Sequence, residues 1–248
     1  MRKVRADLLL VRQRLAPSRT KAQALIMAGE VLLEDGRRVE KAGLELHEGA
    51  RLRLRKGTRT LRYASRGGLK LEGALETFGL DPGGAVCLDV GASTGGFTDC
   101  LLQHGAARVY ALDVGYGQLA WKLQQDPRVV VRDRCNIRTA ADDTIPEACD
   151  WLVIDVSFIS LRIALPSTLR FLQPKVRLVA LVKPQFELGP GSVGKGGVVH
   201  DDQVRHAALT NVVEEVSGLG FGMIETASSP IAGAAGNQEF LLTGVGNF

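Results

Sequence analysis

Apolar and polar positions change their period along this chain. Leu8, Val11 and Leu15 recur at helical spacing, so a short amphipathic helix is expected over residues 6–14. Pro17-Ser18 opens a second helix, with Ser18 as N-cap and Gly29 as its stop. Ala22, Leu25 and Ile26 form its apolar stripe, and Arg19 and Gln23 share a face with Lys21 nearby. Val31-Leu32-Leu33 reads as a strand, Asp35-Gly36 as a turn and Val39 as the start of the return. Arg51-Leu52-Arg53-Leu54-Arg55 alternates strictly, which puts leucines on one face of a strand and three arginines on the other. From residue 65 the pattern becomes helical stretches interleaved with short apolar runs. A helix opens at 65–71, and strands are expected at 85–90, 108–112, 129–131, 151–155 and 177–182 and around 238–242. Helices are expected from 99 and over 201–219. Strands alternating with helices predict a doubly wound α/β domain.

Charge divides the chain in the same place. Residues 1–66 carry 17 Lys/Arg against 7 Asp/Glu, a net of +10, whereas residues 67–248 carry a net of −6. A basic module on a mildly acidic body points to a phosphate-bearing partner for the first part. The basic stretch from Lys56 to Tyr63 reads as the joint. The domains are therefore drawn at 1–57 and 65–248, with a linker at 58–64. No apolar run nears the ~18–20 residues that span a bilayer. The apolar stretch after the basic N-terminus is too short for a signal peptide, so a cytoplasmic protein without membrane contact is expected. Cys87, Cys100, Cys135 and Cys149 form no CxxC pair and no His is spaced to make a recognisable zinc pattern with them, so they are expected to be reduced thiols and no metal is expected.

Two helices followed by a small sheet with basic faces make a compact RNA-binding unit. The strings Arg5-Ala6-Asp7-Leu8-Leu9, Ser18-Arg19-Thr20-Lys21-Ala22 and Ile26-Met27-Ala28-Gly29-Glu30-Val31 resemble the S4-type RNA-binding domain. That resemblance implies docking on structured RNA through shape and phosphates. Arg5, Arg19, Lys21, Arg51, Arg53, Arg55 and Arg66 are the candidate contacts.

The run at 85–90 ends in Asp89-Val90 and leads into Gly91-Ala92-Ser93-Thr94-Gly95-Gly96-Phe97-Thr98, a strand, glycine-rich loop and helix in series. Glycines let a backbone approach a ligand beyond the strand's C-terminal end. The next strand ends at Asp113, placed to accept hydrogen bonds from both hydroxyls of an adenosine ribose. The loop lacks the GxGxxG spacing of a dinucleotide site. Asp89 would repel a pyrophosphate but suits a cation, so S-adenosylmethionine is the expected cofactor. Its candidate contacts are Asp89, Gly91, Ser93, Gly95, Gly96, Phe97, Asp113, Asp133 and Asp155. Asp133 is placed to hydrogen-bond the adenine, and equally to serve as a strand-end turn residue.

Asp155 and Lys183 end successive strands, Lys70 sits on the helix before the domain's first strand, and Glu239 falls in the last. Each has an ordinary alternative: surface lysine, helix cap, turn residue or structural ion pair. Together their order resembles the Lys-Asp-Lys-Glu tetrad of FtsJ-type ribose 2′-O-methyltransferases. Ser65-Arg66-Gly67-Gly68-Leu69-Lys70, Asp155-Val156-Ser157-Phe158-Ile159-Ser160, Lys183-Pro184-Gln185-Phe186-Glu187 and Gly236-Asn237 before Glu239 narrow the resemblance to the TlyA family across essentially the whole chain. The resemblance implies an α/β fold, a Rossmann-like S-adenosylmethionine-dependent methyltransferase domain with a small N-terminal α+β S4-like domain. It also implies 2′-O-methylation of cytidine in 16S and/or 23S rRNA, with ribosomal subunits as partners, and haemolysin is a name many such proteins carry. Lys183 would orient the ribose hydroxyl and, if neutral, take its proton. Burial and the cation Lys70 favour the neutral form while Asp155 and Glu239 favour the charged one, so base and electrostatic roles both stay open. The rival readings are a cytolysin and a non-catalytic RNA-binding scaffold. The glycine-rich stretch 189–197 lacks the GxxxxGK[ST] form and reads as a flap beside the catalytic end. Oligomeric state is not legible.

Overall fold

The computed structural model describes residues 3–27, 29–55, 62–188, 193–194, 196–233 and 236–248. They divide into two compact units, Met1–Arg66 and Gly67–Phe248. Most of the segment drawn as a linker, residues 58–61 of 58–64, lies outside the described residues, as does most of the flap at 189–197.

In the first unit, β1 (Lys3–Arg5) leads straight into α1 (Ala6–Arg12), followed by α2 (Arg19–Met27), β2 (Val31–Leu33), β3 (Glu45–His47) and β4 (Leu52–Leu54). β1 pairs antiparallel with β3, and β2 with β4. The Ser18 hydroxyl accepts the Lys21 amide at 3.3 Å, and Gly29 takes a left-handed φ of +70° past the end of α2, as the punctuation predicts. The apolar face of α1 differs from the expected stripe. Ala6, Leu9 and Leu10 are buried while Leu8 is exposed. The cause is Asp7, whose fully buried carboxylate turns that side of the helix inward by accepting Arg5, Arg19 and Gln23. Leu25, Ile26, Val31, Val39 and Leu52 complete a small core.

The second unit opens with α3 (Gly67–Phe78). There follow β5 (Val86–Val90), α4 (Gly96–Gln103), β6 (Arg108–Leu112), α5 (Trp121–Gln124), β7 (Val129–Arg132), β8 (Cys149–Ile154), α6 (Leu161–Ala164), β9 (Leu172–Val182), α7 (Pro184–Glu187), α8 (Asp202–Gly218), β10 (Phe221–Ser228) and β11 (Phe240–Gly246). One seven-stranded sheet runs β10-β11-β9-β8-β5-β6-β7. Its five central and flanking strands are parallel, and β11 and β10 are antiparallel at one edge. Helix α4 starts at Gly96, three residues before the expected start, because the Gly95 turn delivers the chain directly into helical geometry. β11 begins at Phe240, so Glu239 sits just ahead of the strand rather than inside it. β10 had no apolar run to reveal it. It is an edge strand with mostly exposed side chains and a bulge between Gly222 and Glu225.

Period-2 alternation sorts β5 onto two faces. Leu88 and Val90 join the main core with Leu152, Ile154, Ala180 and Val216 of α8. Cys87 and Asp89 point the other way, toward α4, whose Thr98 donates to Asp89. Helices thus cover both faces, and a parallel sheet requires that cover.

Candidate active site

The chain order reverses between β5 and β8. From β5 it winds outward through β6 and β7, and from β8 outward through β9. Such a switch point leaves a crevice beyond the C-terminal ends of the parallel strands. Gly91 leaves β5 there with φ +86°, and a Cβ at this position would lie 2.4 Å from the carbonyl oxygen of Asp155, which leaves β8. Only glycine fits. The Asp155 amide donates to the Val90 carbonyl at 3.0 Å, holding the two strand ends together.

A cavity of about 460 Å³ occupies the crevice, within the range of small-molecule sites. Its lining includes Gly91, Ser93, Asp113 and Asp155 from the residues expected to hold a cofactor. Asp113 is fixed by two backbone amides, from Ser93 to Oδ2 and from Gly115 to Oδ1, each at 2.7 Å. Apolar walls come from Leu112, Val114 and Ile137. The other expected contacts lie elsewhere. Asp133 is not in the lining, and its Oδ2 accepts the Gly117 amide at 2.9 Å, the strand-end turn role. Gly95, Gly96, Phe97 and Asp89 form the buried support beneath the loop. Cys135, Asn136 and Gln118 line the cavity and were not anticipated, because they lie on loops without a spacing signal.

Asp89 is fully buried. Its Oδ2 accepts Thr98 Oγ1 at 2.6 Å, and Oδ1 has no hydrogen-bond partner among the described residues. Burial, reinforced by the charges of Asp155 and Asp113, outweighs the Thr98 bond and pushes its carboxyl up to about 7.

The four candidate catalytic residues form two amine–carboxylate pairs. Lys183 Nζ lies 2.5 Å from Asp155 Oδ1 and donates to Ser157 Oγ at 2.9 Å. Lys70 Nζ lies 2.5 Å from Glu239 Oε2. Glu239 is 1% exposed and Lys183 8%, so neither pair is a surface contact. Strand register brings the pairs to one end of the sheet. Phe240 pairs with Val182 across the antiparallel β11–β9 ladder, so Glu239 before it and Lys183 after it leave the sheet at the same end. Asp155 leaves parallel β8 at that end too. A Cβ at Gly233 would lie 1.9 Å from Glu239 Oε1, so the preceding loop lies directly against this carboxylate.

Glu187 is a further buried acid, without a spacing signal in the sequence to mark it. Its Oε2 accepts Ser160 Oγ at 2.5 Å and Oε1 accepts the Leu161 amide at 2.8 Å, and burial raises its carboxyl above the ordinary range. Burial likewise pushes the Cys149 thiol up to about 12 and Cys87 higher, which makes both inert packing groups at neutral pH. Among the described residues no cluster of His, Cys, Asp or Glu could hold a metal ion, and no helix is long and apolar enough to cross a membrane.

In the first unit Arg51, Arg53 and Arg55 are exposed on β4 and just beyond it. Arg5 and Arg19 donate to Asp7 while their side chains stay 42% and 54% exposed, so both are held in place with surface to spare. Lys21 donates to the Tyr63 carbonyl, and Arg66 is half-buried.

Residues 63–245 match the family profile of FtsJ-like methyltransferases and residues 4–52 that of the S4 domain. The chain is 48% identical over 245 residues to YqxC of Bacillus subtilis, whose name provisionally assigns it rRNA methylation, covering 97% of this chain and 85% of that one. It is 45% identical over 241 residues to the 16S/23S rRNA (cytidine-2′-O)-methyltransferase TlyA of Mycobacterium tuberculosis, covering 97% and 89%. A solved hemolysin-named protein of Streptococcus thermophilus superposes with a TM-score of 0.78 at 42% identity, covering 100% of this chain and 90% of that one. The chain therefore belongs to the FtsJ-like methyltransferase family, with an S4 domain ahead of the methyltransferase domain.

Proposed function

We propose that this enzyme uses S-adenosylmethionine to methylate the ribose 2′-oxygen of a cytidine in ribosomal RNA. The observation that carries the reading is the pair of buried amine–carboxylate contacts, Lys183–Asp155 and Lys70–Glu239, at the sheet end that holds the cavity. The substrate class rests on the 45% identity to the cytidine-2′-O-methyltransferase and on the basic S4 unit. We read the two units as a docking module and a catalytic module.

The residues present fit the cofactor. Gly91 and Ser93 give backbone access, Asp113 offers a fixed carboxylate for ribose hydroxyls, and Leu112 and Ile137 offer apolar walls for an adenine. Asp89 lies buried beneath the loop with one oxygen unpartnered among the described residues, and a nearby cationic ligand would favour its ionised form over the protonated one that burial favours. When bound, the cofactor supplies an electrophilic methyl on a sulfonium.

A ribose 2′-hydroxyl is a weak nucleophile and must lose its proton as it attacks. Lys183 orients the hydroxyl and either accepts this proton or stabilises the developing oxyanion. Asp155 fixes Lys183 at 2.5 Å and lines the cavity itself, so it ties the amine to the cofactor's position. Lys70 on α3 and Glu239 just ahead of β11 complete a polar surround. Catalysis is then mainly placement, with reacting atoms held roughly 3–3.5 Å apart.

Tritiated methyl transfer to ribosomal subunits and to intact ribosomes, with wild type and Lys183→Ala, tests the reading. Incorporation by wild type and loss in the variant are expected. Wild type inert on every substrate would favour an RNA-binding scaffold.

A further inference from the structure

We infer that Ser157 is a positioning residue for Lys183, setting the direction in which the amine addresses the substrate oxygen; the inference rests on the ribose-methylation reading above. Lys183 Nζ has two protein partners on one segment, Asp155 Oδ1 at 2.5 Å and Ser157 Oγ at 2.9 Å. An amine nitrogen is tetrahedral. Among the described residues the Ser157 contact is the one hydrogen bond of Lys183 Nζ, whereas the Asp155 contact is a close ion pair outside hydrogen-bond geometry. The ion pair fixes where Nζ sits, and the directed bond to Ser157 fixes how its remaining valences point. One contact alone would leave Nζ free to rotate about the line to Asp155. Ser157 removes that freedom. It is exposed and lines the cavity beside Asp155, so the fixed amine is held at the cavity wall.

The segment that carries Ser157 is tied at both ends. The Asp155 amide is held by the Val90 carbonyl at 3.0 Å. Beyond Ser157, Glu187 accepts both Ser160 Oγ and the Leu161 amide. Glu187 lies four residues after Lys183, so the chain bearing the amine and the chain bearing its hydroxyl partner are clamped to each other. Between the ties Phe158 adopts a φ of +66° while 91% exposed, with its ring 5.2 Å from that of Phe186. A non-glycine residue in this region is held there by its surroundings, and such residues concentrate at functional sites. Ser157 is invisible to spacing arguments, because a serine a few residues after a strand carries no pattern of its own.

The test compares wild type, Ser157→Ala, Ser157→Thr and Lys183→Ala in methyl transfer to ribosomal subunits. Cofactor affinity is measured by calorimetry and fold by thermal melting. Ser157→Ala is expected to lower kcat about tenfold, with RNA KM, cofactor Kd and melting unchanged, because only the orientation of the amine is lost. Ser157→Thr keeps the hydroxyl and is expected to restore the rate. Wild-type kcat in Ser157→Ala beside an inactive Lys183→Ala would overturn the inference and leave the ribose-methylation reading standing. So would a loss confined to cofactor Kd or RNA KM. A wild type that transfers no methyl to any subunit would remove both together.

Discussion

Asp89→Asn should change the pH dependence of folding. Asp89 is fully buried at the end of β5, and burial pushes its carboxyl up to about 7. In an unfolded chain an aspartate ionises near ~3.9. Between these values the native state holds a proton that the unfolded state has released. Stability must therefore fall as pH rises through the window, and the loss is complete above about pH 7. At about 1.4 kcal/mol per decade, the window from ~4 to ~7 corresponds to roughly 4 kcal/mol. Asparagine is nearly isosteric, can still accept the Thr98 hydroxyl, and is neutral throughout. Any cost of burying its amide is independent of pH. Urea unfolding of both proteins without cofactor, from pH 4.5 to 8, isolates the carboxylate. The variant should gain on the wild type by about 3 kcal/mol across that range, since roughly the first kcal/mol is already lost below about pH 4.5. Parallel stability curves would refute the reasoning and mean that Asp89 is ionised in the fold at acid pH.

Two further outcomes follow from local geometry. Gly91→Ala places a methyl group against the Asp155 carbonyl in a left-handed backbone conformation that itself costs about 1–2 kcal/mol. Equilibrium dialysis should show loss of S-adenosylmethionine binding, and wild-type affinity would contradict the switch-point assignment. Asp7→Asn removes the charged acceptor shared by Arg5, Arg19 and Gln23, with an expected loss of roughly 3 kcal/mol and weaker binding to ribosomal RNA. Chemical denaturation and a salt-dependent binding assay check both, and unchanged RNA affinity would show that Arg5 and Arg19 need no fixing.

The α/β architecture was legible because the strand runs before Gly91, Asp113 and Asp155 are buried on both faces and read as continuous apolar stretches. β10 was not, because an edge strand with one partner keeps polar side chains. At the site, Lys183, Asp155, Lys70 and Glu239 could be picked out as charged groups at the ends of apolar segments. Their division into two ion pairs depends on the β9–β11 register, which no local pattern encodes. Asp133 shows the opposite limit. Its place after a strand suggested an adenine contact and a turn role equally, and its Oδ2 accepts the Gly117 amide as a turn residue would. Arg5 and Arg19 looked like free phosphate ligands, yet both are organised by a buried acid twelve residues or fewer away.

The most direct test of the central claim is the chemical position of the transferred methyl. Ribosomal RNA from cells with the protein, without it, and with Lys183→Ala would be hydrolysed in alkali and the resistant linkages mapped. A resistant linkage 3′ to a cytidine is expected in wild type and missing from the other two. A methyl found on a base, or a linkage that persists in Lys183→Ala, would contradict it.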